Sequence, residues 1–274
     1  MNLPIFQVDA FTSKPFGGNP AAVVPLTEWL PEELMQSIAA ENNLSETAFF
    51  VREGDGYGLR WFTPTFEIDL CGHATLATAH VIFEELRLEE ASIKFRSHKS
   101  GELGVEKKDG LYVLDFPSRP PVACNVPEGL FEAIGKEPIE ALRSRDYFLV
   151  YETEQDILDI KPNFSRLAEI PTHAVIVTAK GERSDFVSRF FAPEAGINED
   201  PVTGSAHCNL IPYWAEKLGK TEMFARQVSA RGGELFCELT GDRVKIGGNA
   251  VTFLEGEIMV EVAQESSERA QNSL

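Results

Sequence analysis

Four side chains could together do acid–base chemistry: Glu46 in NLSETAFF, His73 in CGHATLATA, Asp200 in NEDPVTGSAH and Ser205 in TGSAH, the last three close to a glycine that could open a helix. A carboxylate can take a proton from carbon, and an imidazole or second carboxylate can return it. Backbone N–H groups can hold the charge that develops in between. That is the chemistry of proton movement at carbon. Taken singly, each residue has a plainer account. A Glu at a strand start is commonly a solvated end, an Asp before Pro is a common turn former, and a Ser just after a glycine can cap a helix. The weight of the set comes from an internal repeat in which His73 and Ser205 hold equivalent places.

RWFTP at 60–64 recurs as RFFAP at 189–193. Each copy is followed by an acidic loop, a Gly-x-Ala step and an apolar helical segment, CGHATLATAHVIFEEL from Cys71 and TGSAHCNLIPYWAEKL from Thr203. Arg60 precedes Gly72 by 12 residues and Arg189 precedes Gly204 by 15, a loop difference that costs little. Upstream, ETAFFV (46–51) and THAVIV (172–177) match to within a few residues of spacing. Matches in one order imply a duplication. The expected fold is α+β, two pseudo-symmetric lobes, each a curled, barrel-like mixed sheet around a central helix. The N-terminal lobe is expected at 1–116, completed by a C-terminal strand near 254–263. The C-terminal lobe is expected at 117–253, joined through the proline-rich stretch 117–127, with 264–274 a polar tail.

Local signals fill in the elements. Pro31 with Glu32 and Glu33 predicts a helix ending near Asn42 and Asn43. Strands are expected at 45–51 and 59–63, and Lys108-Asp109-Gly110 predicts a hairpin. GHATLATAHVIF is small or apolar all round, as in a helix enclosed on every side. The second repeat helix contains Pro212, which cannot donate to the Cys208 carbonyl, so a kink and loss of regularity are expected there. A pseudo-two-fold axis would turn the two helix N-termini toward each other, and two positive dipole ends at one point suit a carboxylate or an enolate-like charge.

Composition narrows the partners. The 274 residues are 43% hydrophobic and 25% charged, which fits a folded soluble chain. Lys and Arg number 25 against 43 Asp and Glu, a net charge of −18 that repels nucleic acid and anionic lipid. Neither nucleic acid nor membrane is expected as a partner; a small anionic substrate is, held by backbone dipoles. Cys71, Cys124, Cys208 and Cys237 form no C-x-x-C pair and read as reduced thiols. No leader or span pattern is read, and the expected location is cytoplasmic. His80 falls two turns beyond His73 without a spaced partner, and His207 beside Cys208 reads as helix packing, so no metal site is expected. GDGYGLR and RGGELF lack nucleotide fingerprints, and no cofactor motif is found. FTSKPFGGNPAAVV reads as a tight turn that sends Asn19 toward the cleft.

The strings VDAFTSKPFGGNPAAVV, NLSETAFF, RWFTPTFEIDLCGHATLATA and EDPVTGSAHCNLIPYW resemble the signature blocks of the phenazine-biosynthesis PhzF-like isomerases, a branch of the diaminopimelate epimerase-like fold. The resemblance runs from near residue 3 to about residue 258. It implies a homodimer without metal or organic cofactor. In the family's best-known member it implies isomerisation of trans-2,3-dihydro-3-hydroxyanthranilate, a cyclic carboxylate. Carried over by position, Glu46 would be the general base/acid, with His73, Asp200 and Ser205 relaying and positioning. Asn19, Ser45 and the N–H groups near Gly72 and Gly204 would bind substrate. Racemases of this fold place a cysteine before each repeated glycine; this chain has Cys71 at the first place and Thr203 at the second. A Thr hydroxyl is far too weak an acid to replace a thiol, so the pattern favours the one-carboxylate isomerase, with Cys71 a bystander that packs as a small apolar residue. Two other functions remain open: a non-catalytic small-molecule-binding or protein-interaction chain on the same fold, and an amino-acid racemase.

Overall fold

The computed structural model describes residues 1–87, 91–97, 99 and 101–261. Eight strands come first: β1 (Asn2–Ala10), β2 (Asn19–Leu26), β3 (Glu46–Glu53), β4 (Gly56–Phe62), β5 (Glu67–Ile68), β6 (Ser92–Ser97), β7 (Gly101–Lys108) and β8 (Leu111–Pro117). Ten more follow: β9 (Val122–Ala123), β10 (Glu140–Arg143), β11 (Tyr147–Val150), β12 (Val175–Lys180), β13 (Phe186–Ala192), β14 (Ile197–Asp200), β15 (Glu222–Gln227), β16 (Gly233–Thr240), β17 (Arg243–Gly248) and β18 (Ala250–Met259). The helices are α1 (Glu32–Asn42), α2 (Gly72–His80), α3 (Leu130–Ile134), α4 (Glu154–Asp159), α5 (Phe164–Ala168) and α6 (Gly204–Leu218).

Pairing gives the continuous order β18-β1-β2-β3-β4-β6-β7-β8-β17-β16-β15-β13-β12-β11-β10-β9, with β5 on β4 and β14 on β13. The order is a palindrome about the antiparallel β8–β17 pair. The parallel contacts match as well, β2–β3 with β11–β12 and β4–β6 with β13–β15. Mixed pairing and curled halves make this an α+β fold. The expected C-terminal strand is β18, which starts at Ala250 and lies along β1 from Asn2 to Ala10. The tail predicted at 264–274 lies outside the described residues.

The repeat is visible in side chains too. Arg60 grips Glu67 with Nε and Nη2 at 2.7 and 2.8 Å, and Arg189 grips Glu199 at 2.7 and 2.9 Å. These two-pronged contacts fasten the acidic loops that follow each copy and so aim the approach to each central helix. Every residue of α2 from His73 to His80 is buried, as its all-round apolar sequence requires. α1 ends at Asn42 with Asn43 left-handed at φ 50°, and the β7–β8 turn has Asp109 at φ 51° and Gly110 at φ 81°, the positive pair a tight hairpin needs.

Two helix features differ from expectation. α6 continues through Pro212, because the Cys208 carbonyl that Pro212 cannot serve accepts the Arg119 N–H at 2.8 Å, while Asn209 Nδ2 donates to the Arg119 carbonyl. The proline-rich stretch thus docks on the helix where its ladder is broken. At the end of α2 the chain widens into a π-helical turn, Val81–Glu85, with the Leu86 N–H on the Val81 carbonyl at 3.0 Å. Among the described residues no helix is long and apolar enough to cross a membrane.

Candidate active site

The first helical residues of α2 and α6 meet. A Cβ built on Gly72 would lie 3.6 Å from the Gly204 Cα, and one on Gly204 would meet, beyond its own helix and chain neighbours, only the Gly72 Cα at 3.6 Å. A methyl at either position would be in ordinary contact with the other glycine, so the two helix starts lie close without a clash that demands glycine. Their first-turn N–H groups have no acceptor within the helix, so two positive dipole ends share one spot.

Around that spot the strand ends deliver the polar side chains. Glu46 opens β3 and Asn19 opens β2; Asp200 closes β14, and Cys71 and Thr203 precede α2 and α6. Glu46, Asp200, His73, Cys71, Thr203 and Asn19 are all buried. Glu46 Oε2 lies 3.0 Å from His73 Nε2, an ion-pair distance, yet the angle leaves Oε2 without a hydrogen bond. Asn19 joins the two halves: Nδ2 lies 2.7 Å from Asp200 Oδ1, 2.9 Å from the Val202 carbonyl and 3.1 Å from His73 Nδ1. An amide nitrogen has two protons, and the two shorter contacts claim them. His73 Nδ1 then keeps its own proton, with Cys71 Sγ 3.5 Å away.

On the other side, Thr203 Oγ1 donates to Asp200 Oδ2 at 2.5 Å. Gln227, at the end of β15, clamps this pair: Nε2 donates to the Asp200 carbonyl and to Thr203 Oγ1, and Oε1 accepts the Thr203 N–H.

Electrostatics follow from burial and proximity. Burial, reinforced by the Glu46 charge, pushes Asp200 up to about 6 against the pull of His73, Thr203 and Asn19. Burial likewise pushes the Cys71 thiol up to about 11, again with help from Glu46. For His73 burial opposes the charged ring, but the facing groups outweigh it and hold the imidazole well above its ordinary value. The groups that raise it are Cys71 first and then Glu46, both facing the ring. The site therefore sets an imidazole of raised proton affinity against Glu46, with a second, readily protonated carboxyl across Asn19.

The structure brings Glu46, His73, Asp200 and Asn19 into one network, with Gly72 and Gly204 above it. Ser45 and Ser205 are half-buried beside it and, among the described residues, make no side-chain hydrogen bond. Cys71 is buried, as a small packing residue would be, and its sulfur lies 3.5 Å from His73 Nδ1. With Glu46 and His73 it forms a mixed donor set whose ligand atoms all lie within 4.8 Å, which sequence spacing concealed because Glu46 comes from a different strand. His207 points elsewhere, donating Nδ1 to the Thr203 carbonyl at 2.8 Å, and burial pushes it down to about 4. His80 joins Tyr112 and Thr252 at the far end of α2. Gln227 carries no sequence signal at all; Thr203 had one, as the repeat partner of Cys71.

Comparison with known proteins agrees with this architecture. The phenazine biosynthesis-like protein family (PhzC-PhzF) matches residues 8–256. A Pseudomonas aeruginosa protein named an uncharacterized isomerase is 53% identical over 94% of this chain and 99% of its own length. The crystal structure of a PhzF-family phenazine biosynthesis protein from Enterococcus faecalis superposes with a TM-score of 0.92 at 52% identity, covering 95% of this chain and 100% of that one. A hydroxyproline epimerase from Agrobacterium vitis shares the fold alone, with a TM-score of 0.58 at 12% identity over 94% of this chain and 92% of that one. A chain built as a palindromic pair of curled half-sheets, with facing glycine-led helices and this match along nearly all its length, belongs to the phenazine biosynthesis-like PhzC-PhzF family.

Proposed function

We propose that the protein is an isomerase that moves a proton between carbons of a small, cyclic, carboxylate-bearing substrate, with Glu46 as general base and acid. The observation that carries this is the Glu46–His73–Asn19–Asp200 chain lying beneath two convergent helix N-termini. The substrate carboxylate, or an enolate-like oxygen formed from it, sits at the N–H groups near Gly72 and Gly204, where the dipoles stabilise the negative charge of the transition state. The Glu46 carboxylate takes the proton from carbon, while His73 holds it in place. The proton returns at a second carbon from Glu46 or from the Asp200 side, whose raised affinity for protons suits it to act as an acid near neutrality. Ser45 and Ser205, with hydroxyls free of protein partners among the described residues, contact the substrate's polar groups.

The test uses trans-2,3-dihydro-3-hydroxyanthranilate as the first candidate substrate, in heavy water. Solvent deuterium in the product supports transfer through an exchangeable protein group. Glu46→Gln removes the base and keeps the shape, so turnover should fall by about 10²–10⁴-fold with ligand binding retained. Full activity in that variant would sink the assignment of Glu46.

A further inference from the structure

Glu46, Cys71 and His73 present a carboxylate oxygen, a thiol and an imidazole nitrogen within 4.8 Å of one another, all buried. Tetrahedral zinc with sulfur at about 2.3 Å and nitrogen or oxygen at about 2.0–2.1 Å sets ligand edges near 3.6 Å for S···N and 3.3 Å for N···O. The corresponding distances here are 4.0 Å from Cys71 Sγ to His73 Nε2 and 3.0 Å from His73 Nε2 to Glu46 Oε2. Small side-chain shifts close both gaps. A second observation points to a ligand: Glu46 Oε2 is a buried oxygen that faces His73 Nε2 at 3.0 Å yet makes no hydrogen bond.

We propose that these three side chains form an inhibitory site for a thiophilic divalent cation, zinc above all, which regulates the protein by occupying its acid–base centre. The donor set selects the metal, because a sulfur ligand disfavours magnesium and calcium. It also suits the burial: a divalent ion with one thiolate, one carboxylate and a neutral imidazole sums to no net charge, so no unbalanced charge is left in the interior and the three ligand bonds offset the lost hydration. On binding, the Cys71 S–H and His73 Nε2–H bonds break, S–Zn and N–Zn bonds form, and two protons leave to solvent. The fourth position is left for water or a substrate oxygen. Thr203 has no such role, as its hydroxyl already donates to Asp200, so the site is one-sided although the fold is duplicated.

That the bound metal stops turnover rests on the proposed role of Glu46; that it binds does not. The experiment titrates the reduced protein with CoCl2, followed by ZnCl2. One cobalt per chain is expected, with a thiolate-to-cobalt charge-transfer band that zinc abolishes. Cys71→Ser should remove the band while Cys124→Ser keeps it. Glu46→Gln should keep the band but weaken affinity by more than the ~10–100-fold typical of losing an outer partner. No band in the native protein, a band surviving Cys71→Ser, or unchanged affinity in Glu46→Gln overturns the proposal; the last reading holds even if Cys71→Ser does not fold. Metal binding as expected alongside an active Glu46→Gln would refute the catalytic assignment and leave the metal site standing.

Discussion

Removing the Asn19 side chain should weaken the fold by an amount that depends on pH. Its Nδ2 protons serve Asp200 Oδ1 at 2.7 Å and the Val202 carbonyl at 2.9 Å, and the side chain is fully buried. A hydrogen bond to a charged acceptor contributes about 1.5–3 kcal/mol and one to a neutral carbonyl about 0.5–1.5 kcal/mol, so about 2–4.5 kcal/mol is lost. Against this, Asn19 Oδ1 is buried without a partner, and deleting it relieves about 1–3 kcal/mol. The net cost of Asn19→Ala is therefore about −1 to 3.5 kcal/mol, centred a little above 1 kcal/mol, or a drop in Tm of roughly 2–5 °C at the centre of that range. The larger share comes from the bond to ionised Asp200. Asp200 titrates at about 6, so the drop should be larger at about pH 8 than at about pH 5, where the acceptor is neutral. Thermal unfolding of both proteins at the two pH values gives the comparison. A shift below about 1 °C, or the same shift at both pH values, would refute the reasoning that Asn19 is held chiefly by a charged partner.

Three further outcomes are expected. In the fold Asp200 holds its proton up to about 6, while its ordinary value is 3.8; between these values the folded state binds more protons than the unfolded one, so Asp200 costs stability as pH rises. Asp200→Asn should accordingly raise Tm at about pH 8 and change it little at about pH 4, while lowering isomerase turnover; equal effects at both pH values would contradict the burial argument. Gly204→Ala should fold normally, since its Cβ meets only the Gly72 Cα at 3.6 Å, yet it should lose substrate binding because the methyl enters the space before the helix N–H groups; unaltered KM would count against a ligand there. Cys71→Ser should keep metal-free turnover within about tenfold, whereas complete inactivity would favour thiol chemistry of the racemase kind.

Much of the architecture was legible without coordinates. Arg60 and Arg189 head the two repeat copies, and both prove to grip the acid of the following loop. The all-apolar run after Gly72 read as an enclosed helix and is one. These succeed because repeated spacing and hydrophobic periodicity are properties of the chain itself. Pro212 is the exception: its own helix holds no donor for the Cys208 carbonyl, and Arg119, distant in sequence, supplies one. The π-helical turn after α2 had no local cue.

The sequence by itself determined the duplication, the candidate residues Glu46, His73 and Asp200, and the absence of a second thiol at Thr203, because these are facts of residue type and order. Only tertiary structure decided which of them meet. Glu46 reaches His73 because β3 runs parallel to β2 and starts beside α2; Asn19 spans to Asp200 from the opposite half; Gln227, unmarked by any motif, clamps Thr203. Cys71 is buried in the core as a small apolar residue, and its sulfur also lies 3.5 Å from His73 Nδ1, two residues on. Contacts within about 3 Å between residues far apart in the chain are set by how sheets curl and halves dock, and no local pattern encodes them.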